Sequence, residues 1–351
     1  MNLTFSFFMK EVISNPIFAV SMVLILGVVL VNGWTDAPNA IATAVGTKSI
    51  DVRIAIVMAG TFNFLGVFVM TMVNSAVAMT IENMVNFGDN KQEAIIGLSS
   101  ALIAIVIWQI TAWTFGIPTS ESDALIAGLT GSAIAISGGL SGVNWNEWYK
   151  ILLGLLLSLT CGFASGFFIS KLTAFLSYHV ERRKGDKIFG GLEIASSAGM
   201  AFMHGAQDGQ KFMGIIVLGM LLINGQGEGM KLVPQVWMML VVALLMAVGT
   251  AIGGKKIIKA VGMKLSKIEK YQGFAADFGA ALCLFIFSSF GIPVSTTQTK
   301  TTAIMGAGAS KRRSAVNLGA VKNMVLTWVF TFPGCGLMGF VFSKILVAVL
   351  L

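Results

Sequence analysis

The sequence predicts an all-α polytopic membrane protein, and three observations predict it. Runs of about 20 apolar residues, the length a helix needs to cross a bilayer, recur along the whole chain. Of its 351 residues, 56% are hydrophobic and 11% are charged, against roughly 25% charged in a soluble domain. Polar motifs interrupt the apolar runs in pairs at nearly constant separation, which points to two repeats. The runs do not alternate in polarity as membrane β-strands do.

Residues 1–16 read as a short amphipathic lead-in. Residues 17–47 form one long apolar element interrupted at Asn32-Gly-Trp-Thr-Asp-Ala-Pro-Asn39. Pro38 lacks an amide hydrogen, so a break in the helix is predicted there. The apolar run from Ile17 to Val31 is a poor signal peptide, because its amino-terminal flank carries one lysine offset by one glutamate. Lys48 and Arg53 mark a cytoplasmic loop. Residues 54–81 cross back, and the acidic stretch from Glu82 to Glu93 reads as external. Residues 94–115 cross inward again. Gly116-Ile-Pro-Thr-Ser-Glu-Ser-Asp123 then opens a short segment of small residues that ends near Ser137. After an external turn at 144–147, residues 148–178 form a long span. Trp145, Trp148, Tyr149 and Tyr178 suit membrane-interface anchors.

The basic stretch 181–187 is predicted to be a cytoplasmic linker between two repeats, 1–180 and 188–351. The second repeat follows the same plan. Residues 188–223 form a second long element around His204-Gly-Ala-Gln-Asp-Gly-Gln-Lys211, also predicted to be broken in its middle. Residues 224–234 read as an external loop, and 236–252 cross inward to a strongly basic loop. Residues 274–290 cross outward to Gly291-Ile-Pro-Val-Ser-Thr-Thr-Gln-Thr-Lys300 and a short helix of small residues. Lys311-Arg-Arg313 is cytoplasmic, and residues 316–351 run outward.

Three pairs of segments fix the repeat. Asp208 lies 172 positions after Asp36. Phe-Gly-Ile-Pro recurs 175 positions apart, at 115 and 290. Gly-Phe-x-x-Ser-Lys recurs 173 positions apart, at 166 and 339. One such match arises easily by chance; three in the same order do not. Five crossings in each half, an odd number, put the halves into the membrane upside down relative to each other, the plan of many secondary transporters. The predicted fold is therefore two inverted-topology repeats with broken helices and re-entrant half-helix segments, about 10–12 membrane segments in all. The dense basic clusters then share one face and both termini lie outside.

Composition narrows the function. A net charge of +8 would suit nucleic acid, but the basic residues cluster in short loops as the positive-inside rule requires, so the lipid bilayer is the partner and nucleic acid is not. Cys161, Cys283 and Cys335 lie in apolar runs without metal-ligand spacing and read as packing residues. No phosphate-binding loop of an ATPase occurs. No nucleophile–base pair is visible, so the chain is not predicted to be an enzyme.

Polar groups inside lipid are expensive, and their default reading is functional. Asp36 and Asp208, one per repeat, are the leading cation ligands or proton carriers, with a sodium ion between them as one option. Asn32, Glu121 and Asp123 join them as candidate coupling-ion residues. Asn39, Gln207 and Gln210 offer neutral oxygens to a cation or donors to an oxyanion. Lys211 is either an anion partner or the salt-bridge mate of Asp208, three positions away on one helix face. His204 is a proton shuttle or a packed side chain. Thr119, Ser120 and Ser122 in one half, and Ser295, Thr296 and Thr297 in the other, place hydroxyls at helix starts, where free amides favour a tetrahedral oxyanion. Acids beside an anion site require a co-bound cation or proton, which points to symport.

With these motifs in place, the chain resembles the inorganic phosphate transporter (PiT) family. That family carries a duplicated Gly-Ala-Asn-Asp signature, matched here by residues 32–39 and 204–211, and Gly-x-Pro-x-Ser-Thr-Thr-His segments in both halves. The resemblance spans nearly the whole chain. It implies about twelve membrane segments and puts Asp36, Asn39, Asp208 and Gln210 at the ion and phosphate site. Ser120, Ser295, Thr296 and Thr297 would then lie on facing re-entrant segments. The chain departs from the pattern at Thr35 and Gln207, which replace the asparagine before each aspartate, and at Asp123 and Gln298, which replace the histidines. The resulting expectation is a plasma (inner) membrane symporter importing inorganic phosphate by alternating access, driven by sodium or protons, with no cofactor. A homodimer is one assembly open to it. A symporter for another oxyanion such as sulfate, or a passive anion channel, is the alternative.

Overall fold

The computed structural model describes residues 4–115, 119–224, 234–253, 258, 261 and 268–351. Among the described residues the chain is helical and forms no strand, apart from one isolated bridge between Val85 and Val143. The motif residues Gly116, Ile117 and Pro118, residues 225–233 of the loop predicted at 224–234, and most of the basic loop before Ile268 lie outside the described residues.

Helix α1 (Phe5–Ser14) is capped by Thr4, and α2 (Pro16–Thr35) by Asn15. The Asn15 side chain accepts the Phe18 amide at 3.1 Å, and Pro16 at the first helical position costs no hydrogen bond. A 3-10 turn (Ala37–Ile41) and a short α3 (Ala42–Gly46) follow. Helix α4 (Val52–Val73) stops at Asn74, and α5 (Ala76–Glu82) resumes. Then come α6 (Lys91–Thr114), α7 (Glu121–Ser137), which ends on a left-handed Gly138, and α8 (Trp145–Leu176). The second half comprises α9 (Arg182–Asn224), α10 (Val236–Gly253), α11 (Lys270–Ser289), α12 (Thr296–Lys311) and α13 (Leu318–Leu350).

Among the described residues, seven helices are long and apolar enough to cross a membrane. Helix α10 adds a shorter apolar helix, and α5, α7 and α12 are further short helices of 7, 17 and 16 residues. Burial sorts them by depth. The apolar window of α9 is 89% buried and that of α13 only 17%, so α9 is the central post and α13 faces lipid.

Two predictions fail at α9. The linker 181–187 is not a loop, because the helix begins at Arg182. The predicted break around Asp208 is also absent: α9 runs unbroken for 43 residues. The two motifs differ in proline. The ring of Pro38 ends the first helix, whereas the second motif has glycines and no proline. Those glycines serve contact instead. A Cβ at Gly205 would collide with the main chain of Asn63 on α4, and one at Gly214 with the main chain of Ala78 on α5. Small residues at helix–helix contacts in lipid let backbones approach in this way.

The packing is reciprocal. Helix α8 of the first half lies against α12 of the second, and α13 of the second lies against α7 of the first. Likewise α4 packs on α9, and α10 packs on α2. The register repeats too. Gly166 abuts Ala303 while Gly339 abuts Gly128, and Gly205 abuts Asn63 while Gly33 abuts Met246.

Candidate functional site

The site forms where the α2 break, the middle of α9 and the amino ends of α7 and α12 converge. Helix α2 ends at Thr35, one turn before Pro38, and Asp36 takes the capping position. The 3-10 turn brings Asn39 back over it. Asn39 Nδ2 donates to Asp36 Oδ1 at 2.7 Å and to Thr297 Oγ1 at 2.9 Å, and the Thr297 hydroxyl also donates to Asp36. Asp36 is 3% exposed and all its partners are neutral.

Asp208 reaches the same space from α9. Its Oδ1 pairs with Lys211 Nζ at 2.6 Å. Its Oδ2 accepts from Asn32 Nδ2 at 3.3 Å and from Thr296 Oγ1 at 3.2 Å. His204 Nε2 stands 3.2 Å from Oδ2 but outside hydrogen-bond geometry, while its Nδ1 lies 3.0 Å from Asn63 Oδ1. Ligand atoms of Asp36, Asp208 and His204 all lie within 4.8 Å of one another. The acids that sequence places 172 positions apart therefore share one site.

Ser120 and Ser295 cap α7 and α12, accepting the amides of Asp123 at 3.1 Å and Gln298 at 3.2 Å. The two caps touch, with Ser295 Oγ donating to Ser120 Oγ at 2.7 Å. Gln298 Nε2 donates to Asp123 Oδ2 at 2.7 Å. Each contact joins positions 175 apart. Two helix amino ends, each carrying partial positive charge, thus face one another beside the carboxylates.

Lys211 resolves as the mate of Asp208. It also donates to Ser122 Oγ at 2.5 Å and to the Val294 carbonyl at 2.7 Å. Other candidates stand further out. Thr119 donates to Gln109 Oε1 at 2.7 Å, Gln207 to the Ile292 carbonyl at 3.3 Å, and Gln210 to the Asn74 carbonyl at 2.8 Å. These three tie neighbouring segments together and make no hydrogen bond to either aspartate. Glu121 is 2% exposed and neither of its carboxylate oxygens has a partner.

Buried side-chain oxygens without partners line the site: Asn32 Oδ1, Asn39 Oδ1 and Asp123 Oδ1, besides those of Glu121. Carboxylate, amide and hydroxyl oxygens are the donor set of a hard cation. Hydroxyls on paired helix starts suit an oxyanion. The site therefore offers seats for both signs of charge.

A second polar cluster lies along α3 and α11. Lys300 pairs with Asp277 and donates to Thr43 Oγ1 at 3.0 Å and to the Ala40 carbonyl at 3.2 Å. Asp277 accepts from Thr43 and Ser197. Glu193 Oε2 accepts from Thr47 at 2.7 Å and Ser49 at 2.6 Å. Beyond it opens a cavity of about 490 Å³, lined among others by Thr47, Arg182, Lys270, Tyr271 and Lys311. The sequence reading singled out neither Asp277 nor Glu193. A lone acid within an apolar span was the signal that could have found Asp277. Asn63, which lies against His204 Nδ1, was likewise not among the candidate residues.

A profile of the phosphate transporter family matches residues 32–185 and 175–339. The chain is 35% identical over 303 residues to a "Probable low-affinity inorganic phosphate transporter" of Bacillus subtilis (strain 168), covering 86% of this chain and 89% of that one. A protein of the same name from Rhizobium meliloti (strain 1021) is 35% identical over 308 residues, covering 87% and 89%. Among solved structures, one titled "The sodium-dependent phosphate transporter" superposes with a TM-score of 0.86 at 24% identity, covering 95% of this chain and 100% of that chain. This last likeness is one of fold.

Proposed function

The chain belongs to the phosphate transporter family, and from that premise we propose that it is a cation-coupled symporter importing inorganic phosphate by alternating access. The observation that carries the reading is the meeting of Asp36 and Asp208 within 4.8 Å beside two touching hydroxyl caps. Relatives named as inorganic phosphate transporters support the substrate.

The coupling follows from charge. An anion placed beside two carboxylates in low dielectric is repelled strongly. Lys211 neutralises Asp208, but the hydrogen-bond partners of Asp36 are neutral. A cation on Asp36 removes that repulsion, so phosphate enters only with it. Ser120, Ser295, Thr296 and Thr297 and the amino ends of α7 and α12 then receive the phosphate oxygens. Sodium is favoured over a proton as the coupling ion, because a proton on Asp36 would leave the carbonyl oxygens of Asn32 and Asn39 still without partners. The sodium dependence named for the structural neighbour supports the same choice.

The reciprocal packing of α8 with α12 and α13 with α7 supports two inverted repeats, 1–180 and 188–351, around the site. The positive-inside rule puts the basic loops in the cytoplasm and both termini outside a plasma membrane. Radiolabelled phosphate uptake into proteoliposomes, with sodium and pH gradients imposed separately, tests the reading. Uphill accumulation driven by sodium is expected, with little competition from sulfate. Asp208→Asn should abolish uptake while leaving folded protein in the membrane. Normal uptake by that variant would remove Asp208 from the mechanism, and uptake that never runs uphill would make the protein a channel.

A further inference from the structure

Among the described residues two lysines are almost wholly buried, Lys211 at 1% and Lys300 at 0% exposure. Their surroundings have the same composition. Lys211 Nζ donates to the carboxylate of Asp208, the hydroxyl of Ser122 and the main-chain carbonyl of Val294. Lys300 Nζ donates to the carboxylate of Asp277, the hydroxyl of Thr43 and the main-chain carbonyl of Ala40. Each carbonyl comes from irregular chain: the extended stretch before α12 for Val294 and the 3-10 turn for Ala40. One carboxylate, one hydroxyl and one carbonyl freed from regular helix is also the oxygen set that a protein offers a hard monovalent cation.

An ammonium group has three donors and no acceptor, so it can sit in such a set much as a bare cation would. We propose that Lys211 and Lys300 are tethered cations: each fills, from the protein's own chain, a seat whose oxygens would otherwise bind a sodium ion. Asp36 is the contrast. Its side-chain partners are Asn39 and Thr297, no lysine among the described residues pairs with it, and the side-chain oxygens of Asn39 beside it and of Asn32 on the same helix have no partner. The mobile cation therefore belongs to Asp36, and the number of ions moved per phosphate is lowered by the two that cannot leave.

Lys300 gives the cleaner test, because it lies outside the hydroxyl caps and the Asp36–Asp208 contact. Lys300→Ala removes the ammonium but keeps Asp277, Thr43 and the Ala40 carbonyl. Thermal unfolding of the detergent-purified full chain is followed in sodium chloride and in choline chloride. The expected result is a saturable, sodium-dependent rise in melting temperature for Lys300→Ala, beyond any rise shown by the unaltered protein. The double variant Lys300→Ala with Asp277→Asn should lose that extra rise, because the seat has no charge left. An equal sodium response in the single variant and the unaltered protein overturns the proposal. So does an extra rise that persists in the double variant. Failure of Lys300→Ala to fold in sodium, while the double variant folds, overturns it as well, since no free ion then replaces the ammonium.

A second arm rests on the proposed transport function. In proteoliposomes, Lys300→Ala should move one more positive charge per phosphate, read from the potential at which net flux reverses. If the unaltered protein moves no phosphate, the transport reading fails and the unfolding arm still decides the proposal.

Discussion

Asp36 and Asp208 face one difficulty, a carboxylate without water, and resolve it differently. Asp208 takes a lysine and two neutral donors, whereas Asp36 takes neutral donors only. A buried pair broken on one side leaves an uncompensated charge worth about 3–5 kcal/mol. Asp208 is therefore a fixed part of the site, and Asp36 is the group whose charge is open to exchange. The hydroxyl caps make a second prediction at this scale. Ser120→Ala and Ser295→Ala each remove a helix cap, costing about 1 kcal/mol, and both break the same hydroxyl–hydroxyl bond. The double variant should fall short of the summed costs by roughly 0.5–1.5 kcal/mol. A double-mutant cycle on unfolding in mixed micelles measures that shortfall, and strict additivity would show that the caps do not interact.

At the scale of elements, much of the site was legible because its parts recur. Asp36 and Asp208, 172 positions apart, and Ser120 and Ser295, 175 apart, each stand as polar residues in apolar surroundings. The Asp277–Lys300 pair has no such copy. The positions 175 before them are Leu102 and Leu125, both packed in apolar core, so repeat matching passes over it. The unbroken α9 escaped for another reason. Glycine in a membrane helix signals either a break or a close contact, and sequence does not separate the two. The contacts do, and they predict opposite outcomes for two glycines of one helix. Gly205→Ala drives a methyl group into the main chain of Asn63 and should cost about 1–3 kcal/mol or more. Gly199 has nothing within 4 Å, so Gly199→Ala should gain up to about 1 kcal/mol from helix propensity. Melting temperatures of the two purified variants, one below and one above the parent, check both.

At the scale of the molecule, neither half buries its helices alone. Helix α8 needs α12, α13 needs α7, α4 needs α9, and α10 needs α2. A chain cut between Tyr178 and Glu181 should therefore leave two fragments that are each unstable in the membrane when made alone. Made together, they should assemble and recover uptake. Co-purification of one fragment by a tag on the other, with uptake measured on the pair, tests this. A stable, monodisperse single fragment would contradict the exchange.

That exchange bears on how the molecule can move. Parting residues 1–180 from 188–351 would unthread several helices at once, so motion along that seam is blocked. The site lies crosswise to it, between α2 and α9 on one side and α7 and α12 on the other, with α6 packed on both α2 and α7 and α11 on both α9 and α12. Asp36 and Asp208 ride on the first set; Ser122, Thr296 and Thr297 ride on the second. The bonds that join Asp36, Asp208 and Lys211 to those hydroxyls run from one group of helices to the other, so the site residues themselves fasten the two groups together.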